Sequence, residues 1–224
     1  MNEAAIALDG LERRYGDRTA LSGVTVRVPA GATLAVFGSN GAGKTTLLRV
    51  LAALLRPHAG SVAVLGSALP DEAWKVRGRV GYLGHESLLY RDLTVRQNLQ
   101  FHARLHKVDL GHVDETIARV GLSHRADDAV RELSKGMVQR AAVARATLHD
   151  PQVLLLDEPR ANLDPKAAEQ LEPLIGRPSG RTRVLVSHDV ERSLAEADLA
   201  LGLRAGKQQF AGRADAAQVR SLYS

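Results

Sequence analysis

Gly38-Ser39-Asn40-Gly41-Ala42-Gly43-Lys44-Thr45 follows the apolar run Thr33-Leu34-Ala35-Val36-Phe37 and leads into the leucine-rich stretch Lys44–Leu55. G-x-x-x-x-G-K-[ST] set between a buried strand and a helix is a phosphate-binding loop. Its glycines let backbone N–H groups turn inward on phosphate oxygens, and the start of the helix adds the positive end of its dipole. Lys44 supplies a point charge, the Thr45 hydroxyl is a Mg²⁺ ligand, and Thr46 is placed to donate to an inner phosphate. Such a loop needs a carboxylate at the end of another parallel strand, and Val153-Leu154-Leu155-Leu156-Asp157-Glu158 offers two. Asp157, at the strand end, reads as the holder of a Mg²⁺-bound water. Glu158, one residue farther out, reads as the general base; a cap on the following turn is the alternative for the pair.

Working outward, short β-type runs at Ile6–Leu8, Val24–Val28 and Ser61–Leu65 are separated by Gly10, Gly16, Pro29-Ala30-Gly31 and Gly66, while Pro57 and Gly60 close the helix after the loop. From Thr94 to His149 the spacing turns helical, with Val95, Leu99, His102 and Leu105, then Val113, Ile117 and Val120. Strands return as Val153–Asp157, Val184–Ser187, Leu199–Leu203 and Gln209–Ala211, with helices near Pro165–Leu174 and Val190–Ala197. Continuous apolar strands alternating with helices predict a largely parallel sheet buried on both faces, and the Val24/Val26/Val28 alternation predicts an antiparallel piece. The expectation is one α/β domain over 1–224, with a core of 1–85 and 151–224 interrupted by a helical subdomain, 86–150.

With 45% hydrophobic, 25% charged and no cysteine among 224 residues, the composition is that of a globular protein and removes zinc ribbons, iron–sulfur clusters, thiol catalysis and c-type haem attachment as intrinsic functions. Lys and Arg exceed Asp and Glu by 30 to 25, but they are spread along the chain; Glu12-Arg13-Arg14 reads as a solvated face, and no nucleic-acid partner is expected. No apolar run approaches the roughly 18–20 residues that span a bilayer. Met1-Asn2-Glu3-Ala4-Ala5-Ile6 lacks a basic stretch followed by an apolar one, so no secretory leader is expected.

Five separated motifs, Tyr15, Gly38–Thr46, Leu133-Ser134-Lys135-Gly136-Met137, Val153–Glu158 and Ser187-His188, give the chain a resemblance to the ATP-binding subunit of ABC transporters over nearly its whole length. The resemblance implies a P-loop NTPase with a RecA-like core, an antiparallel β piece and an inserted helical subdomain. It further implies Mg²⁺-dependent ATP hydrolysis, a homodimer or paired ATPase subunit, integral membrane transporter subunits as partners, and a peripheral place on the cytoplasmic face of the membrane. ATP would be held by Gly38, Ser39, Asn40, Gly41, Ala42, Gly43, Lys44, Thr45 and Thr46, with Tyr15 stacked on adenine; a core tyrosine at a strand end is the other reading of Tyr15. Ser134, Lys135, Gly136 and Asp164 would meet the ATP held by a second copy, an ordinary helix cap being the alternative for Ser134. Ala161-Asn162-Leu163-Asp164 resembles the family's dimer-interface loop. His188 resembles its switch histidine on the γ-phosphate, completing a catalytic set with Glu158 and Lys44.

Two departures mark the chain. The signature differs from Leu-Ser-Gly-Gly-Gln at Lys135, which adds a charge able to contact phosphate, and at Met137, which removes a side-chain donor and acceptor. Val80-Gly81-Tyr82-Leu83-Gly84-His85 puts His85 where the family carries the Gln that reaches Mg²⁺, so His85 joins Thr45 and Asp157 as a candidate metal ligand. Gly84-His85, together with Ser39–Arg49, looks like the subgroup that energises haem export in cytochrome c maturation. An exporter of another cargo, or a soluble ABC ATPase without a membrane partner, shares every nucleotide motif. The absence of sustained heptads between Thr46 and Leu133 argues against a nucleic-acid repair ATPase. Leu88-Leu89-Tyr90, too apolar for a free loop, is expected either to receive a helix of a membrane subunit or to pack on the chain's own insertion.

Overall fold

The structure, a computed structural model, describes residues 4–223; the first three positions of the stretch read for a leader, and Ser224, lie outside the described residues. Its contacts divide into two compact units. One comprises Met1–Tyr82, Gln152–Asp157 and Arg181–Ser224; the other comprises Leu83–Pro151 and Glu158–Gly180.

The first unit is built on a ten-stranded sheet: β1 (Ala4–Tyr15), β2 (Arg18–Pro29), β3 (Thr33–Phe37), β4 (Ala59–Val64), β5 (Ser67–Leu69), β6 (Val80–Leu83), β7 (Val153–Asp157), β8 (Thr182–Val186), β9 (Leu199–Arg204) and β10 (Lys207–Gly212). Their order is β5-β4-β1-β2-β10-β9-β3-β8-β7-β6. β3 lies between β8 and β9, parallel to both, and β7 continues the parallel set beyond β8. Every residue of β3, β7 and β8 is buried, as a sheet covered on both faces requires. β1, β2, β4 and β5 form the antiparallel piece, where Val24, Val26 and Val28 are buried while Thr25 and Arg27 face out. α1 (Lys44–Leu51) follows the P-loop and buries Leu47, Leu48, Val50 and Leu51. α2 (Ala73–Arg77) precedes β6. α7 (Val190–Glu196) and α8 (Ala216–Arg220), numbered in chain order after the helices of the second unit, belong to this unit as well.

The second unit is helical: α3 (Val95–His106), α4 (His112–Arg119), α5 (Lys135–Thr147) and α6 (Pro165–Ile175). α5 is its centre, buried on every side from Ala141 to Thr147. α3 starts with a reciprocal cap, in which the Thr94 hydroxyl accepts from Gln97 N–H and the Gln97 side chain accepts from Thr94 N–H.

Several expectations need correction. α1 stops at Leu51, not Leu55, because Ala53 turns to φ 55 and the next amides bond back to Arg49. β1 continues far beyond Leu8, since its ladder with β2 carries Leu11, Arg13 and Arg14 and its ladder with β4 carries Asp9 and Glu12, through register shifts that an apolar pattern does not show. Glu158–Gly180 groups with the helical unit and not with the core: α6 buries Leu171, Leu174 and Ile175 and packs on α5.

Candidate active site

In the first unit the P-loop runs from the end of β3 into α1. Gly38 sits at φ 148 and Gly43 at φ 107, and a side chain at either would collide with backbone, with Leu203 O and Ala20 O respectively. Only glycine brings the loop this close to β9 and β2. Lys44 Nζ donates to the carbonyls of Gly38 (2.6 Å) and Ser39 (3.0 Å), so the ammonium is folded over the loop. Thr45 Oγ1 donates to Asp157 Oδ2 at 3.0 Å, and Asp157 is buried at the end of β7. A hydroxyl and a buried carboxylate thus meet beside a phosphate cradle. That donor set fits Mg²⁺, which takes one or two protein oxygens and completes its octahedron with phosphate and water. Among the described residues no three His, Asp or Glu groups cluster to hold a metal on their own.

Tyr15 ends β1, 44% exposed, with the Arg13 guanidinium 5.0 Å from its ring centre. It is not a core tyrosine, and its ring is open to a ligand. His188 is exposed between β8 and α7; Ser187 Oγ accepts from Asp189 N–H, and Asp189 caps α7.

The second unit gathers another group. Ser134 caps α5, its hydroxyl accepting from Met137 N–H at 3.3 Å. A Cβ on Gly136 would stand 2.7 Å from the Asn162 carbonyl, so glycine lets the helix start touch the loop that follows Glu158. Gln139 fastens the same two segments, donating to the carbonyls of Glu158 (3.3 Å) and Pro159 (3.0 Å). The sequence reading passed over Gln139; its position one turn after Gly136 was the available signal. Glu158 adopts φ 50, a left-handed conformation costing a non-glycine residue roughly 1–2 kcal/mol. Asp164 caps α6 through Ala167 N–H at 2.8 Å. His85, Arg91, Arg131, Lys135, Gln139 and Asn162 line a groove of about 330 Å³ whose charged side chains are cationic. Nearby, Leu89 is buried while Leu88 and Tyr90 are exposed, Tyr90 resting edge-on against Phe101 at 5.3 Å.

A family model described as "ABC transporter" matches residues 21–161. The chain belongs to the ABC transporter family. As an ABC ATPase domain it hydrolyses ATP. The daunorubicin resistance ATP-binding protein DrrA3 of Streptomyces coeruleorubidus is 40% identical over 223 residues, covering 96% of the chain and 70% of the relative. The Nod factor export ATP-binding protein I of Paraburkholderia xenovorans (strain LB400) is 37% identical over 201 residues, covering 86% of the chain and 66% of the relative. The chain therefore spans about two thirds of the length of these relatives. A solved ATP-binding subunit of an ABC transporter superposes with a TM-score of 0.86 at 25% identity, over 97% of this chain and 94% of that one. The ABC ATPase fold accounts for both the parallel core and its antiparallel piece. Among the described residues no helix is long and apolar enough to cross a membrane.

Proposed function

We propose that this ABC ATPase is the motor of a membrane exporter, closing as an ATP-bound dimer on the cytoplasmic face of the membrane and reopening on hydrolysis. The contact between Thr45 and Asp157 carries the reading, because it prepares a Mg²⁺ site at the mouth of the P-loop. Bound there, Mg²⁺ supplies the positive charge that offsets the charge spread over the phosphate oxygens in the transition state. The N–H groups from Ser39 to Thr46 orient the phosphates, Lys44 leaves its carbonyls for them, and Tyr15 stacks on the base. Glu158 takes the proton of the attacking water, and His188 donates to the γ-phosphate. Ser134, Lys135, Gly136 and Asp164 act on the ATP of a second copy; the cationic groove around Lys135 supports that role. His85, exposed on that groove, replaces the family's Gln as the residue that senses Mg²⁺. Leu88, Tyr90 and Phe101 form the apolar contact for a membrane subunit.

Two variants test the chemistry. Glu158→Gln keeps Mg·ATP binding and loses hydrolysis by about 10²–10⁴-fold, whereas Lys44→Ala loses binding as well. Turnover near the wild-type rate in Glu158→Gln, measured with the membrane partner present, removes Glu158 from the role.

For the cargo, Gly84-His85 and Ser39–Arg49 support haem export for cytochrome c maturation. The relatives named for daunorubicin resistance and Nod factor export support an exporter of another molecule. Cells carrying Lys44→Ala then accumulate apocytochrome c without covalent haem; normal haem staining of their c-type cytochromes leaves the second cargo reading.

A further inference from the structure

Gly38, first residue of the P-loop, is held at both ends of its backbone. Its carbonyl accepts from Lys44 Nζ at 2.6 Å, and its N–H donates to the Tyr223 hydroxyl at 3.4 Å. Tyr223 is carried there by the segment after α8, where Val219 and Leu222 are buried in one apolar cluster with Ala35 and Phe37 of β3. The strand that delivers the loop and the segment that delivers the phenol therefore share a foundation.

We propose that Tyr223 is a positioning residue for nucleotide binding, its hydroxyl holding the Gly38 peptide in the orientation that the phosphate cradle requires. The inference rests on the ATP-binding reading of the P-loop. Lys44 is the reason a second restraint matters: the phosphates draw its ammonium off the Gly38 carbonyl just as the loop must keep its shape. A glycine at φ 148 has no side chain to resist rotation of that peptide, whereas the contact to Tyr223 persists through the exchange. A loop fixed in its bound form spends less ordering free energy on capture of the ligand.

The test is calorimetric titration of Mg·ADP into the purified wild-type chain and into Tyr223→Phe, which keeps the ring and its packing and removes one oxygen. A single neutral hydrogen bond, long at 3.4 Å, predicts a Kd raised about two- to fivefold. ATPase assays then show the same factor in KM with kcat unchanged, and the melting temperature stays that of the wild type. An unchanged Kd overturns the proposal, as does a fall in kcat at constant KM. A Tyr223→Phe chain that loses melting temperature together with affinity also overturns it, because the contact then holds the fold and not the loop. Failure of the wild type itself to bind Mg·ADP brings down the P-loop reading instead.

Discussion

His102 of α3 gives the helical unit a pH dependence that its neighbours dictate. Burial first, then the positive field of Arg145 and the nearby His106, hold its imidazole down at about 4, against a single hydrogen bond to the Leu88 backbone that works the other way. His106, its ring stacked at 3.9 Å on His149, is lowered by burial and by Arg145. Both histidines bind protons more readily in the unfolded chain, where the group titrates near about 6.5. Their neutral forms therefore stabilise the fold fully above that value, and the contribution is lost as pH falls from about 6.5 toward about 4. Melting temperatures taken between pH 7 and pH 5 should decline, and His102→Gln should flatten the decline; parallel slopes for the two chains would place the effect elsewhere. The position of His102 on the apolar face of a helix is legible from its spacing after Val95 and Leu99. Arg145 is not, because what brings it there is the packing of α5 against α3.

Asn98 shows what one residue does for an element. It is fully buried in α3, its Oδ1 accepting from Tyr90 N–H and its Nδ2 donating to the carbonyls of Tyr90, Leu93 and Thr94. The stretch 90–94, which presents Tyr90, is thereby sewn to the helix that follows. Asn98→Leu keeps the branched heavy-atom shape and strands the Tyr90 N–H, a loss of about 1–3 kcal/mol by the cost of one unsatisfied buried donor. Urea unfolding measures it, and a value under about 0.5 kcal/mol would mean that water replaces the amide. α3 can be read from the chain because burial on one face writes a period into residue order, and β3, β7 and β8 because burial on both faces leaves a short apolar run. α2, β5 and α8, three to five residues each, are too short to establish a period. The charged half of β1 is invisible for the opposite reason: its ladder is satisfied by backbone bonds, which every residue offers alike.

At the scale of the whole molecule, the proposal that Ser134, Lys135, Gly136 and Asp164 act on the ATP of a second copy predicts an ATP-dependent dimer. Glu158→Gln in Mg·ATP should double in mass by light scattering and return to a monomer when ATP is withdrawn; a mass that ignores ATP argues against the dimer. The motifs of the P-loop, of β7 and of the α5 start were legible because each is a short contiguous run whose residue types and spacing are set locally. The grouping of Glu158–Gly180 with the helices was not, since it follows from the packing of α6. The sheet holds one more consequence. β3 has β8 and β9 as its neighbours, and Thr33 pairs with Arg183, 150 positions later in the chain. At the usual pace of protein synthesis that gap lasts roughly 8–30 s. Throughout it the ribosome displays an apolar strand, with the P-loop attached, that has no sheet to join. A chaperone that shields the nascent chain during those seconds should therefore raise the yield of active protein without changing the stability of the finished fold.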